Sequence, residues 1–251
     1  MSNEFKCDID YYRLPTSKNE FKGDAGEVWH SSPYSWRLTR DEDSICKFIE
    51  TKKNLYKDKK VLHVGTGCSE IAKQYSGLFK KIDGITVGDD ELKVAEDLEI
   101  SNYKCYKINK YNTNQLNVLD NNYDIIIDCA IKAYMCCESH YLEYWNWLLN
   151  SVKPVNGEII TFRGGFHVTK LYSPGYPEII RFPELSDNEI YNIVSKSGYT
   201  IFYRDNNNSF IEIPKEYINN DKIYLGVNPS VSLSGVDMSI VWIKSKNSKE
   251  L

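Results

Sequence analysis

Two glycines, Gly65 and Gly67, close an apolar run in Val61-Leu62-His63-Val64-Gly65-Thr66-Gly67-Cys68-Ser69. Small residues between a strand and a helix let the main chain come close to a ligand, although a glycine often serves only the turn. Two of the four histidines, His167 and His30, titrate near neutral pH at positions suited to a general base. His140, inside a helical pattern, is a weaker candidate, and each of the three has a competing reading as a structural side chain. Arg163, followed by Gly164 and Gly165, suits an anionic partner such as a carboxylate or phosphate, and equally a surface ion pair. Asp124, Asp128 and His140 lack an interpretable metal-ligand spacing, so no metal is assigned. The seven cysteines include no C-x-x-C pair. Cys136 and Cys137 are adjacent, and on a helix they would point about 100° apart. They read as free, buried thiols of a reducing compartment.

The elements that must position these residues follow from hydrophobic period. Asp41 to Lys53 sets Ile45, Phe48 and Ile49 at helical spacing behind Thr39 as a cap. Strand Val61 to Val64 leads through the glycine turn into a helix with Ile71, Tyr75, Leu78 and Phe79 on one face. Strand Gly84 to Val87 and helix Asp90 to Leu98 repeat the unit. Strand Lys104 to Ile108 precedes Tyr123 to Asp128, whose three consecutive isoleucines suit a parallel strand buried on both faces. A long helix presenting Tyr141, Trp145, Leu148 and Val152 ends at Pro154 and Gly157, ahead of strand Glu158 to Phe162. Ser186-Asp187-Asn188-Glu189 reads as a capping box, followed by strands Tyr199 to Tyr203 and Ser239 to Ile243. The expectation is one doubly wound α/β domain, residues 55–251: a mostly parallel seven-stranded sheet with helices on both faces and an insertion at about 204–236. Ahead of it, residues 1–54 carry Tyr11, Tyr12, Phe21, Trp29, Tyr34 and Trp36, too aromatic for a solvated tail; they read as packing surface or a lid.

Composition narrows the partners. A formal charge of -4 gives no general attraction to phosphate backbones, so nucleic acid is not an expected partner. Apolar runs fall far short of a membrane span, and the N-terminal residues show no export signal, which together favour a cytoplasmic location.

Four segments in register, over about residues 55 to 203, resemble the class I S-adenosylmethionine-dependent methyltransferases. VLHVGTGCS (61–69) is similar to the family's glycine-rich first motif, and GITVGDDELKVA (84–95) to its second strand and helix. YNTNQLNVLDNNYDIIID (111–128) has the spacing from the adenine-side residue to the fourth strand, and LLNSVKPVNGEIITF (148–162) is similar to the K-P-x-x-G turn and fifth strand. The resemblance implies S-adenosyl-L-methionine as cofactor. It places Gly65, Thr66 and Gly67 under the methionine and ribose portion, Asn112 at the adenine amino group, and Asp128 with Cys129 beside the methionine moiety. Three positions depart from the pattern: His63 stands for an acidic residue, Ser69 for a third glycine, and Thr86 for the carboxylate that takes the ribose hydroxyls. Asp89 or Asp90 is expected to share that last role.

Residues after strand four do not read D-P-P-Y, Cys129 lacks a preceding proline, and no paired-glutamate loop appears, which argues against several macromolecule-directed subclasses. The expected acceptor is a small molecule or a glycan-type, cell-surface biosynthetic intermediate, methylated on oxygen in preference to nitrogen. Trp29, Tyr34, Trp36 and Arg163 are expected to bind it. Two rivals remain open: a nicotinamide-dependent oxidoreductase, which shares the first turn, and a non-catalytic binding module on the same scaffold.

Overall fold

The computed structural model describes residues 40–129, 138–162, 193–204, 210–212 and 240–245. Helix α1 (Arg40–Thr51) and the short α2 (Lys53–Tyr56) precede β1 (Lys60–Val64), α3 (Glu70–Tyr75), β2 (Lys81–Thr86), α4 (Asp89–Asp97) and β3 (Tyr103–Lys107). After a 3-10 turn (Gln115–Val118) come β4 (Ile125–Asp128), α5 (Glu138–Ser151), β5 (Glu158–Phe162), β6 (Tyr199–Arg204), β7 (Phe210–Glu212) and β8 (Ile240–Ser245). These strands form one sheet in the order β3-β2-β1-β4-β5-β8-β6-β7. Pairings from β3 across to β5 are parallel, and β8 enters antiparallel between β5 and β6.

Period-two alternation divides the core into two layers. Leu62, Val64, Ile85, Ile126 and Ile159 face Tyr141, Tyr144, Trp145 and Leu148 of α5. Val61, Ile82, Ile125, Ile127 and Ile160 face Ile45, Phe48 and Ile49 of α1 and Ile71, Ala72 and Tyr75 of α3. Continuous isoleucine in β4 is thereby accounted for, since both sides of that strand are covered. At the turn into β5, a Cβ on Gly157 would lie 2.7 Å from Val152 Cγ2 and would collide with the main chain of Lys153, so no larger residue fits.

Two expectations are corrected. The sheet has eight strands among the described residues, not seven, because Phe210–Glu212 in the insertion pairs antiparallel with β6 as an added edge. β2 begins at Lys81 rather than Gly84. Its charged start breaks the apolar pattern, yet Asp83 is fully buried and accepts a hydrogen bond from Tyr123 Oη at 2.8 Å and an ion pair from Lys81 at 3.0 Å. The capping box at 186–189 and the aromatic segment 1–39 lie outside the described residues. No described helix is long and apolar enough to cross a membrane.

Candidate functional site at the carboxyl ends of the strands

Sheet order reverses direction between β1 and β4, and open α/β sheets bind ligands in the crevice outside the strand ends at such a switch. The loop at the end of β1 is pinned to its neighbour by Gly65 N–H and Thr66 N–H, which both donate to Ile85 O at 2.9 and 3.2 Å. Gly65 and Gly67 have φ of 73° and 51°, the left-handed region that suits glycine. A Cβ on Gly65 would meet nothing within 4 Å, so the space beside the loop is open. Ser69 also has a left-handed φ, 62°. Its hydroxyl lies 2.9 Å from Tyr103 Oη, and Thr66 Oγ1 lies 3.6 Å from Cys105 Sγ. Thr66 and Tyr103 crowd Gly84, where a Cβ would stand 2.7 Å from Thr66 Cγ2 and 2.9 Å from the Tyr103 ring. Gly84 is thus the residue that lets β3 brace the loop.

At the end of β2, the Thr86 hydroxyl donates to Glu91 Oε2 and accepts from Gly88 N–H at 3.1 Å. Glu91 is in the first turn of α4, and Thr86 holds its carboxylate at the strand end. Asp89, by contrast, lies in an exposed ion pair with Lys107 at 2.7 Å, and Asp90 is exposed. Asn112 is buried in a loop tied to itself: Asn112 N–H donates to Asn109 O, Gln115 N–H to Asn112 O, and Asn109 N–H to Gln115 Oε1, each at 2.9 Å.

Asp128, buried at the end of β4, accepts from Tyr144 Oη at 2.8 Å and from Lys110 Nζ at 3.1 Å. Lys110 Nζ also sits 5.4 Å from the ring centres of both Tyr111 and Tyr144. Burial pushes the Lys110 ammonium below its ordinary pKa, and the Asp128 carboxylate opposes that shift. This cluster ties the 108–112 loop to the end of β4 and to α5.

His63 is buried on the α1 side of β1. Desolvation alone lowers its pKa to about 4, so it is neutral at physiological pH. A buried carboxylate beside the loop comes from another element: Glu42 of α1 is only 5% exposed, and its Oε1 is the atom a Cβ on Gly67 would meet, at 3.5 Å. Burial, helped by Glu42, pushes the thiols of Cys46 and Cys68 up to about 11. They are protonated at neutral pH and are poor nucleophiles.

The structure therefore brings Gly65, Thr66, Gly67, Thr86, Asn112, Asp128 and Cys129 to one end of the sheet, with Ser69 opening α3 and His63 beneath. Asp89 stands at its solvent edge. His167, His30, Trp29, Tyr34, Trp36 and Arg163 lie outside the described residues. Glu42, Glu91, Lys110 and Tyr144 were not singled out by sequence pattern. Glu42 carried a signal, because it shares the helical spacing of Ile45 and Ile49 and so falls on the buried stripe of α1. Among the described residues, no group of three or more His, Cys, Asp or Glu could hold a metal ion.

No family model and no curated protein sequence matches the chain. Solved structures do. The N-methyltransferase NodS from Bradyrhizobium japonicum, in complex with S-adenosylhomocysteine, is similar over 87% of this chain and 94% of its own, at TM-score 0.51 and 9% identity. A complex of DhpI with S-adenosylhomocysteine is similar over 84% of this chain and 89% of its own, at TM-score 0.50 and 11% identity. The fold is that of the class I methyltransferases.

Proposed function

We propose that the chain is an S-adenosylmethionine-dependent methyltransferase acting on a small-molecule or glycan-type biosynthetic acceptor, with oxygen as the favoured nucleophile. One observation carries this: an open glycine loop, a hydroxyl-held carboxylate and a buried amide meet at the ends of β1, β2 and the loop after β3. Those are the groups that a nucleoside joined to an amino acid needs. The antiparallel β8 between β5 and β6 separates this sheet from the all-parallel 3-2-1-4-5-6 order of dinucleotide-binding enzymes. Both solved structures named above hold the demethylated form of this cofactor.

The residues fit the cofactor. Thr86 presents Glu91, whose carboxylate can accept from both ribose hydroxyls. Asn112 reads the adenine edge, while Gly65 and Gly67 leave room for the ribose and methionine. Lys110, Asp128 and Tyr144 fix the wall between adenine and methionine sites. Bound here, the cofactor supplies an activated methyl on a sulfonium. The protein's task is then alignment and exclusion of water, with a base where the nucleophile carries a proton. We assign that base to His167, with His30 as the second candidate. A pre-ionised carboxylate or phosphate acceptor needs no base and is oriented by Arg163. Residues 1–40, bearing Trp29, Tyr34 and Trp36, are assigned to the acceptor side as a lid.

Calorimetric titration with S-adenosylmethionine, S-adenosylhomocysteine and NAD tests the cofactor. Saturable heat with the first two and none with NAD is expected. Binding of NAD alone, or of none of the three at millimolar concentration, overturns the proposal.

A further inference from the structure

We propose that Glu42, on the helix preceding the sheet, is the carboxylate that receives the α-ammonium of the methionine half of the cofactor. The assignment rests on the cofactor reading above and concerns the same cleft. A zwitterionic amino acid placed over the glycine loop brings a cation to it, and a buried cation requires a partner of opposite charge. His63 in β1, the nearest titratable side chain before the loop in sequence, is neutral at physiological pH and cannot balance a positive charge. Asp128 turns its oxygens toward Lys110 and Tyr144. Glu70, partly buried just past the loop, is already paired with Lys73 at 2.7 Å and accepts from Cys68 Sγ at 3.8 Å. Glu42 Oε1 lies 3.5 Å from where a Cβ on Gly67 would stand, and its backbone is held by α1, whose Ile45, Phe48 and Ile49 are fully buried against the sheet. The negative charge is thus delivered from α1, on a rigid support. Selectivity follows, because a ligand with the adenosine half alone makes no use of Glu42.

The test is calorimetry on the full chain with three ligands: S-adenosylhomocysteine, its deaminated analogue, and 5′-methylthioadenosine, which has no amino-acid half. Loss of one charge-assisted contact in a desolvated site predicts that Glu42→Gln binds S-adenosylhomocysteine about 10- to 100-fold more weakly. Its affinity for methylthioadenosine stays unchanged, and Glu42→Asp recovers part of the loss. The wild-type chain is expected to bind the deaminated analogue more weakly by the same factor, a comparison that holds even where Glu42→Gln does not fold. Equal weakening of S-adenosylhomocysteine and methylthioadenosine by Glu42→Gln overturns the proposal, as does equal wild-type affinity for the deaminated and native ligands. Those results leave the cofactor assignment standing. A wild-type chain that binds none of the three removes both.

Discussion

Mild acid should destabilise this protein through His63, and replacing it should remove that limb. The imidazole is 1% exposed, and its Nε2 has no hydrogen-bond partner among the described residues. Desolvation lowers its pKa from 6.5 to about 4. The unfolded chain takes up a proton near the ordinary value while the folded chain refuses it. Stability is therefore fully present above the unfolded pKa and is lost as pH falls toward the folded one. A shift of that size corresponds to about 3 kcal/mol in total, of which about 2 kcal/mol is lost by pH ~5. His63→Leu fills a similar volume with apolar atoms and deletes the unsatisfied nitrogen, so at pH ~7.5 it should be as stable as the parent or more so. Urea unfolding followed by tryptophan fluorescence at pH ~7.5 and ~5 reads both proteins. The parent should lose about 2 kcal/mol more than His63→Leu over that interval. Equal losses would mean that the histidine is solvated or paired in solution and carries no desolvation penalty.

Three other substitutions probe the walls of the cleft. Gly84→Ala pushes a methyl into Thr66 and Tyr103 and should cost about 1–3 kcal/mol while loosening the loop, seen as a lower urea midpoint and weaker S-adenosylhomocysteine binding. Glu91→Gln removes the carboxylate that Thr86 holds; it should weaken S-adenosylhomocysteine and methylthioadenosine alike, by roughly tenfold in calorimetry, since both carry the ribose. Asp128→Ala removes the carboxylate that pairs with the buried Lys110 ammonium and should lower unfolding free energy by about 3–5 kcal/mol in urea titration, with Asp128→Ala/Lys110→Met recovering much of that loss.

Local rules made the architecture legible, because strands buried on both faces, such as Ile125 to Asp128, and amphipathic helices announce themselves by period. Glycine at 65, 67 and 157 did the same, since only a residue without a Cβ satisfies those backbones or contacts. The charged side chains of the cleft were harder to read. Asp89 lies nearer Thr86 in the chain than Glu91, yet sequence distance says nothing of which carboxylate the first turn of α4 rotates toward the strand end. Lys110 looked like an ordinary loop lysine; its burial depends on Asp128, Tyr111 and Tyr144, which meet only when β3, β4 and α5 are assembled. The start of β2 is hidden in the sequence because a buried Asp83, paired through Oδ2 with Tyr123 and Lys81, looks there like a surface charge. Local pattern reports apolar burial well, whereas paired polar burial depends on partners distant in the chain.

The most direct measurement is the crystal structure of the chain soaked with S-adenosylhomocysteine. The ribose hydroxyls should lie on Glu91 beside Thr86, the adenine amino group at Asn112, and the methionine half across Gly65 and Gly67. Adenosine density anywhere else on the molecule, or none at saturating ligand, would contradict the assignment of this cleft.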